Sequence, residues 1–234
     1  MKELSESYKK FGLHASGSGY TFCEYIPEAS AVFLVGDFNN WDRAANPLVE
    51  SPKQPGLWSG TLSGPAAAGL KKGGKHKLFI QPVIGQEYWA VPAWTTHYTY
   101  TEDTKLLDAV YWPLEKKAEK LAKAATDKAY ERIYECHLGL VSGEGKKASF
   151  TEAGDMLLPR VAKMGYSAIL VIGALECKEY SSIGQQPVSL FAVSHQLGTP
   201  EDFSAFISKA HRLDLQVILS IAHDGAACCE DGLP

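Results

Sequence analysis

Residues 31–42 read AVFLVGDFNNWD, an apolar run that ends in turn-forming residues. The apolar side chains of Ala31–Val35 favour a strand, and the Asp and Asn side chains of Asp37–Asn40 favour a turn. The same alternation of short apolar runs with Gly, Pro or Asn continues on both sides of this segment. Further strands are predicted for three such runs: Tyr20–Tyr25, Leu57–Leu62 and Lys75–Ile80. Short strands at this spacing predict a small β-sandwich.

From Arg132 onward, the pattern changes to strands that alternate with helices. Strands are predicted for three apolar runs: Ile133–Leu138, Ala168–Ile172 and Leu215–Ala222. One helix is predicted over residues 151–164. A second is predicted to begin at Thr199, an N-cap residue followed by a proline and two acids, and to end near Leu213. This alternation predicts a parallel sheet with helical crossovers.

The two regions are joined by residues 114–130, which are rich in Ala, Lys, Glu and Leu and contain no Gly or Pro. This composition predicts a connecting helix with a solvated face. A basic membrane-surface helix is the alternative, and the small alanine face argues against it. The predicted domains are therefore the sandwich at 1–112, the connection at 113–130 and the α/β region at 131–234.

The composition excludes several classes of protein. Hydrophobic residues make up 45% of the chain and charged residues 21%, with a net charge of −4, so no broad positive surface is expected to hold nucleic acid or membrane lipid. The N-terminus lacks the apolar run of a signal peptide. The five cysteines show no disulfide or metal spacing. These features predict an intracellular protein, cytoplasmic or in an organellar stroma and not secreted, without a cofactor.

Three parts of the chain together resemble the 1,4-alpha-glucan (glycogen/starch) branching enzyme family. They are Val35–Asp42 (VGDFNNWD), Arg132–Gly139 (RIYECHLG) and the pair Phe191–Ser194 and Gly198–Asp202 (FAVS and GTPED). They occur in the family's order and at nearly its spacing. The resemblance implies an immunoglobulin-like carbohydrate-binding sandwich followed by the first part, about three strands, of an amylase-type (β/α)₈ barrel.

The resemblance also implies that this chain lacks the catalytic groups. Retaining glycosyl transfer uses two carboxyl groups about 5 Å apart, and in the family these lie on later barrel strands. Where the family has a sugar-stacking tyrosine, a third-strand aspartate and a histidine, this sequence has Gln185, Ser220 and Gly225. These are interpreted as degenerate active-site positions, so no catalytic residue and no glycosyltransferase activity are predicted.

Other residues are alternative candidates for functional chemistry. Glu176 and Asp224 follow the second and third barrel strands, where barrel enzymes place functional groups. They are interpreted as a retained strand-end residue and a solvated loop acid, because no second carboxylate is placed beside either. His223 with Cys228 and Cys229 could suggest a metal site, but adjacent cysteines chelate one zinc poorly. No metal site is predicted.

The sandwich has a candidate carbohydrate-binding surface. Sugar rings lay their apolar faces on flat aromatic side chains. The glycogen-binding domain of the AMP-activated kinase β subunit has a similar turn signature and uses two tryptophans and a lysine in this way. The resemblance assigns these roles to Trp41, Trp89 and Lys77. The alternative is that both tryptophans pack against neighbouring protein.

A partial barrel of three strands leaves one face of its sheet uncovered. Parallel sheets are normally buried on both faces, and an open edge strand invites association. The segments Ile169–Ile172 and Val217–Ile221 are therefore predicted to face a protein partner or a second copy of the chain.

Three hypotheses follow for the function. The first is a catalytically inactive, branching-enzyme-like structural or binding subunit of a larger assembly, with α-glucan binding retained or lost. The alternative is the N-terminal part of an active 1,4-alpha-glucan branching enzyme. The third, which is compatible with the first, is a glucan-targeting module that depends on exposure of the two tryptophans.

Overall fold

The computed structural model describes residues 6–101, 106–113, 132–142, 145–178 and 184–223. Its contacts divide the chain into two units. The first comprises the chain up to Trp112 together with Val188–Phe191, and the second comprises the described residues on either side of that short segment. The predicted connecting helix at 114–130 lies outside the described residues.

The described part of the first unit forms two antiparallel sheets. The first sheet has the order β1-β2-β5-β4, and the second has the order β3-β6-β9-β8 with β7 paired to β6. A short helix, α1 (Gly64–Gly69), follows β5. The strands are β1 (Gly12–Ser16), β2 (Gly19–Tyr25), β3 (Ala29–Gly36), β4 (Val49–Glu50), β5 (Leu57–Leu62), β6 (Lys75–Pro82), β7 (Tyr88–Ala90), β8 (Tyr98–Thr101) and β9 (Leu106–Val110).

The core of this unit lies between the two sheets. Phe22 and Trp58 of the first sheet share one buried cluster with Leu34, Leu78 and Ile80 of the second. Leu78 and Ile80 are two residues apart, so they project from the same face of β6. The alternate residues Lys77 and Phe79 project from the opposite face. The predicted sandwich is confirmed.

The second unit contains a parallel sheet in the order β10-β11-β12. Its strands are β10 (Ile133–His137), β11 (Ala168–Ile172) and β12 (Gln216–Leu219). The helices that connect them are α2 (Phe150–Met156), α3 (Leu158–Lys163) and α4 (Pro200–Arg212). The alternation of strands and helices predicted from the sequence is confirmed.

Two elements of this unit differ from their predicted bounds. The single helix predicted over 151–164 is two helices that meet at Leu157, with Pro159 in the first turn of α3. Proline has no N–H to donate to the preceding turn, so the helical hydrogen bonding is interrupted there. The third strand ends at Leu219 rather than at Ala222.

The parallel sheet packs on its helices through alternate residues. Ile169 and Val171 are fully buried in one cluster with Leu158 of α3 and Phe206 of α4. Within the segment predicted to face a partner, these two side chains therefore face the helices instead. Because successive side chains of a strand point to opposite faces, the other face of the sheet is formed by residues such as Ile172, which is half-buried. Coverage of that face by a partner stays a prediction.

Candidate functional site

The turn after β3 is built by the side chain of Asn39. Its Oδ1 accepts the Gly36 N–H at 3.0 Å, and its Nδ2 donates to Asn46 Oδ1 at 2.8 Å. Gly36 has no room for a side chain, because a Cβ would collide with the Lys75 carbonyl oxygen. Phe38 is buried in the sandwich core and anchors the turn to that core. Gly36, Phe38 and Asn39 therefore each have a structural role in forming this turn.

This turn holds Trp41 in a conformation that bulky residues rarely adopt. Trp41 has φ +60° and follows Asn40 at φ +54°. A positive φ at a large side chain costs free energy and is tolerated only where the surroundings impose it. Here the Trp41 indole N–H donates to Asp37 Oδ1 at 2.9 Å, and Asp37 Oδ2 accepts the Lys75 N–H at 2.8 Å. The ring is thus fixed to the end of β6.

Trp41 lies beside a second half-buried tryptophan. The ring centroids of Trp41 and Trp89 are 6.1 Å apart, and Trp89 also lies 5.2 Å from Phe79, its cross-strand partner on β6. The guanidinium group of Arg43 lies over the rings of Phe79 and Trp89. We call these four residues the tryptophan surface. It offers flat apolar rings at the protein surface with a cation beside them.

The third residue predicted for this site, Lys77, has its amine buried. Its side chain is only 7% exposed, and Nζ lies 3.1 Å from Asp108 Oδ1. Lys75 Nζ lies 3.0 Å from the other carboxylate oxygen. Burial acts to raise the pKa of Asp108, but hydrogen bonds from Thr101 and Lys75 and the charge of Lys77 outweigh it and lower that pKa. Lys77 shares a strand face with Phe79, but its ammonium group is engaged by Asp108.

Glu176 in the second unit is fully buried. Its Oε2 lies 2.8 Å from both the backbone nitrogen and the ring Nδ1 of His195. The structure thus places Glu176 as the anchor of the segment that contains His195.

A small cleft lies at the carboxyl ends of β10 and β11. The residues lining it are His137, Gly173, Leu175, Cys177, Gly184, Ser194 and Gln196. Burial lowers the pKa of His137, which favours its neutral form. Gly173 has φ +72°, and any Cβ there would collide with the His137 ring. The cleft is therefore tightly packed around the imidazole.

Two of the three predicted degenerate positions lie within the described residues. Gln185 and Ser220 are exposed, and the Ser220 N–H donates to the Val171 carbonyl at 2.9 Å. Gly225 lies outside the described residues, as do Asp224, Cys228 and Cys229, while His223 is exposed. Among the residues that the structure describes, no group of three or more His, Cys, Asp or Glu could hold a metal ion. No helix in the described ranges is long and apolar enough to cross a membrane.

Comparisons with known proteins place this geometry in context. Residues 10–95 match the family model of carbohydrate-binding module 48, the isoamylase N-terminal domain. This match covers the strands and the turn that build the tryptophan surface.

The whole chain is also similar to curated enzymes. It is 34% identical to the 1,4-alpha-glucan-branching enzyme of Yarrowia lipolytica, over 100% of this chain and 34% of that protein. It is 31% identical to the enzyme of the same name from Dictyostelium discoideum, over 96% of this chain and 33% of that protein. The chain therefore spans about a third of the length of these relatives.

Among solved structures, the chain is similar to the pullulanase SAP of Group B Streptococcus. The TM-score is 0.69 at 19% identity, over 89% of this chain and 33% of that one. At this identity the likeness concerns the fold alone. Together, these comparisons confirm the resemblance to the N-terminal part of the branching enzyme family.

Proposed function

We propose that this chain, a relative of the N-terminal third of the 1,4-alpha-glucan-branching enzymes, supplies the α-glucan-binding part of such a protein. The observation that carries the proposal is the pair of half-buried tryptophans, Trp41 and Trp89, with ring centroids 6.1 Å apart. The substrate class is α-1,4-linked glucan such as glycogen or starch. The proposal assigns no catalytic residue to the described chain.

The physical basis is the complementarity between pyranose rings and indole rings. The C–H groups of a pyranose make an apolar face, which packs on the π-face of an aromatic side chain while the hydroxyl groups stay hydrated. Two neighbouring rings can contact two sugar units of one chain, which favours an oligosaccharide over a monosaccharide. Trp41 meets the further requirement of rigidity, because Asp37 and the strained turn hold its ring before any ligand arrives.

The comparisons favour the enzyme-family hypothesis over that of an inactive structural subunit. The curated relatives that span the chain are named as branching enzymes. The hypothesis of lost catalysis depends on Gln185, Ser220 and Gly225, and it stays a prediction. Association through the uncovered face of the parallel sheet also stays a prediction, which light scattering of the purified chain would test.

Glycogen co-sedimentation tests the proposed function. We expect the unaltered chain to sediment with glycogen. Trp41→Ala and Trp89→Ala should each weaken binding by up to about tenfold, because stacking on one aromatic ring contributes about 0.5–1.5 kcal/mol. The matched control is Trp112→Ala, which removes a half-buried indole that packs on His97. Equal binding by all four proteins would contradict the proposal.

A further inference from the structure

Arg43 occupies ring surface that a sugar would need. Its guanidinium carbon lies 5.0 Å from the Phe79 ring centroid and 5.3 Å from that of Trp89. Its Nη1 lies 3.6 Å from Glu87 Oε1, on the connection between β6 and β7. The side chains of Arg43 and Glu87 are 57% and 52% exposed. The arginine therefore lies on the outside of the aromatic cluster, with Glu87 beside it.

A sugar and this guanidinium group cannot share the same face of Trp89. A cation over an aromatic ring lies within about 6 Å of the ring centroid, and a pyranose stacked on that ring needs the same face. By contrast, Trp41 has its indole N–H fixed by Asp37 and no cation over its ring among the contacts of the described residues. The two tryptophans therefore differ in how open they are to a ligand.

The contact made by Arg43 is weak enough to be displaced. An exposed cation–π contact and an exposed ion pair each contribute little in water, because both groups remain well solvated when separated. The Arg43–Glu87 separation of 3.6 Å is near the outer limit of an ion pair. A ligand that gains a second stacked ring can offset the loss of both contacts.

We propose that Arg43, oriented by Glu87, is a displaceable cover on Trp89 that determines how tightly the tryptophan surface binds α-glucan. This inference rests on the proposed function. A short oligosaccharide stacks on Trp41 alone, whereas a longer one also displaces Arg43 and stacks on Trp89. The cover thus lowers the affinity of the surface for long glucan chains, and it leaves the affinity for short chains, which use Trp41 alone, unchanged.

The test is calorimetric titration of the chain with maltotriose and maltoheptaose. Arg43→Ala is expected to bind maltoheptaose about three- to tenfold more tightly, since that is the factor equivalent to the lost contacts. Glu87→Gln is expected to show a smaller gain, and none when Arg43 is already alanine. The gain should also be absent in a chain that carries both Arg43→Ala and Trp89→Ala.

Two controls separate this effect from a general change of charge. Arg160→Ala removes an exposed arginine of α3 and should leave the affinity unchanged. Added salt should strengthen binding by the unaltered chain but not by Arg43→Ala, because salt screens the exposed Arg43–Glu87 pair. Weaker or unchanged binding by Arg43→Ala would overturn the inference, and weaker binding would identify Arg43 as a direct sugar ligand.

The failures of the two proposals are distinguishable. If the unaltered chain and Arg43→Ala both show no binding that depends on Trp41, the proposed function fails and this inference fails with it. If binding depends on Trp41 but Arg43→Ala is not tighter, the glucan-binding surface stands and only the cover is rejected.

Discussion

Glu24 is a carboxyl group held almost entirely away from water, at 1% exposure on β2. Burial raises its pKa to about 7, against the opposing effect of hydrogen bonds from the backbone N–H groups of Tyr25, Trp94 and Ala93. In the unfolded chain the pKa of a glutamate is near its ordinary value of 4.5. The proton is thus bound more tightly in the folded state.

This difference makes the sandwich less stable as the pH rises. Below pH 4.5 both states hold the proton, and the stabilising contribution is complete; it is lost as the pH rises through about 7. The Glu24→Gln variant has no titratable group at this position. As the pH rises from 4.5 to 8, we expect its free energy of unfolding to increase by about 3 kcal/mol relative to that of the unaltered chain. Urea unfolding of both proteins at several pH values measures the difference.

The test compares the two proteins at each pH, because in the unaltered chain alone the titration of His76 acts in the opposite direction to that of Glu24. Burial lowers the pKa of His76 to about 4, so its contribution to stability is lost as the pH falls from 6.5 toward 4. The two effects partly cancel in the unaltered chain, whereas His76 contributes equally to both proteins being compared. A difference in unfolding free energy that is independent of pH would reject the account of Glu24.

At the scale of elements, α4 shows a helix start that is specified locally. The Asp202 N–H donates to Thr199 Oγ1 at 3.2 Å, and the Thr199 N–H donates to Asp202 Oδ2 at 2.9 Å. These two bonds satisfy donors that the helix cannot pair internally. Phe206 and Ala210 then bury α4 against the parallel sheet.

We expect Thr199→Ala to lower the free energy of unfolding of the second unit by about 1 kcal/mol. The physical reason is that the Asp202 N–H loses its acceptor at the start of the helix. Thr199→Ser, which keeps the hydroxyl group, is the matched control. Its free energy of unfolding should fall by no more than about half as much as that of Thr199→Ala. Urea unfolding followed by far-UV circular dichroism measures both. Equal losses in the alanine and serine variants would show that the cap hydroxyl is not the cause.

The elements with strong local signals could be predicted from the sequence. The strand Leu57–Leu62 and the N-cap at Thr199 agree with their predicted positions. The strands β7, β8 and β9 are not predicted as separate elements, since their side chains alternate weakly and their pairing depends on neighbouring strands. β7 and β9 pair with β6, and β8 pairs with β9. Short strands of this kind are specified by neighbouring strands as much as by their own residues.

The candidate site could be predicted only in part. The turn sequence indicated Trp41, because the motif is contiguous and its roles are local. The burial of Lys77 could not be anticipated, since its partner Asp108 lies on β9, which joins the end of β6 only in the folded sheet. Arg43 gave no signal in the sequence, because its position over Trp89 depends on the pairing of β6 with β7.

At the scale of the whole molecule, the two units contain different features. The first unit contains the match to carbohydrate-binding module 48 and the tryptophan surface. The second has three parallel strands with a buried Glu176 anchor at their carboxyl ends. In the first unit, the proposed function is that Trp41 and Trp89 together bind α-glucan.

The most direct measurement is a titration with maltoheptaose followed by the NMR signals of the indole N–H groups. The account predicts that the signals of Trp41 and Trp89 shift together along one saturable curve, while that of Trp58, which is buried and donates to the Ile26 carbonyl at 3.0 Å, stays in place. Saturable shifts confined to other tryptophans, or no shift at all, would contradict the central claim.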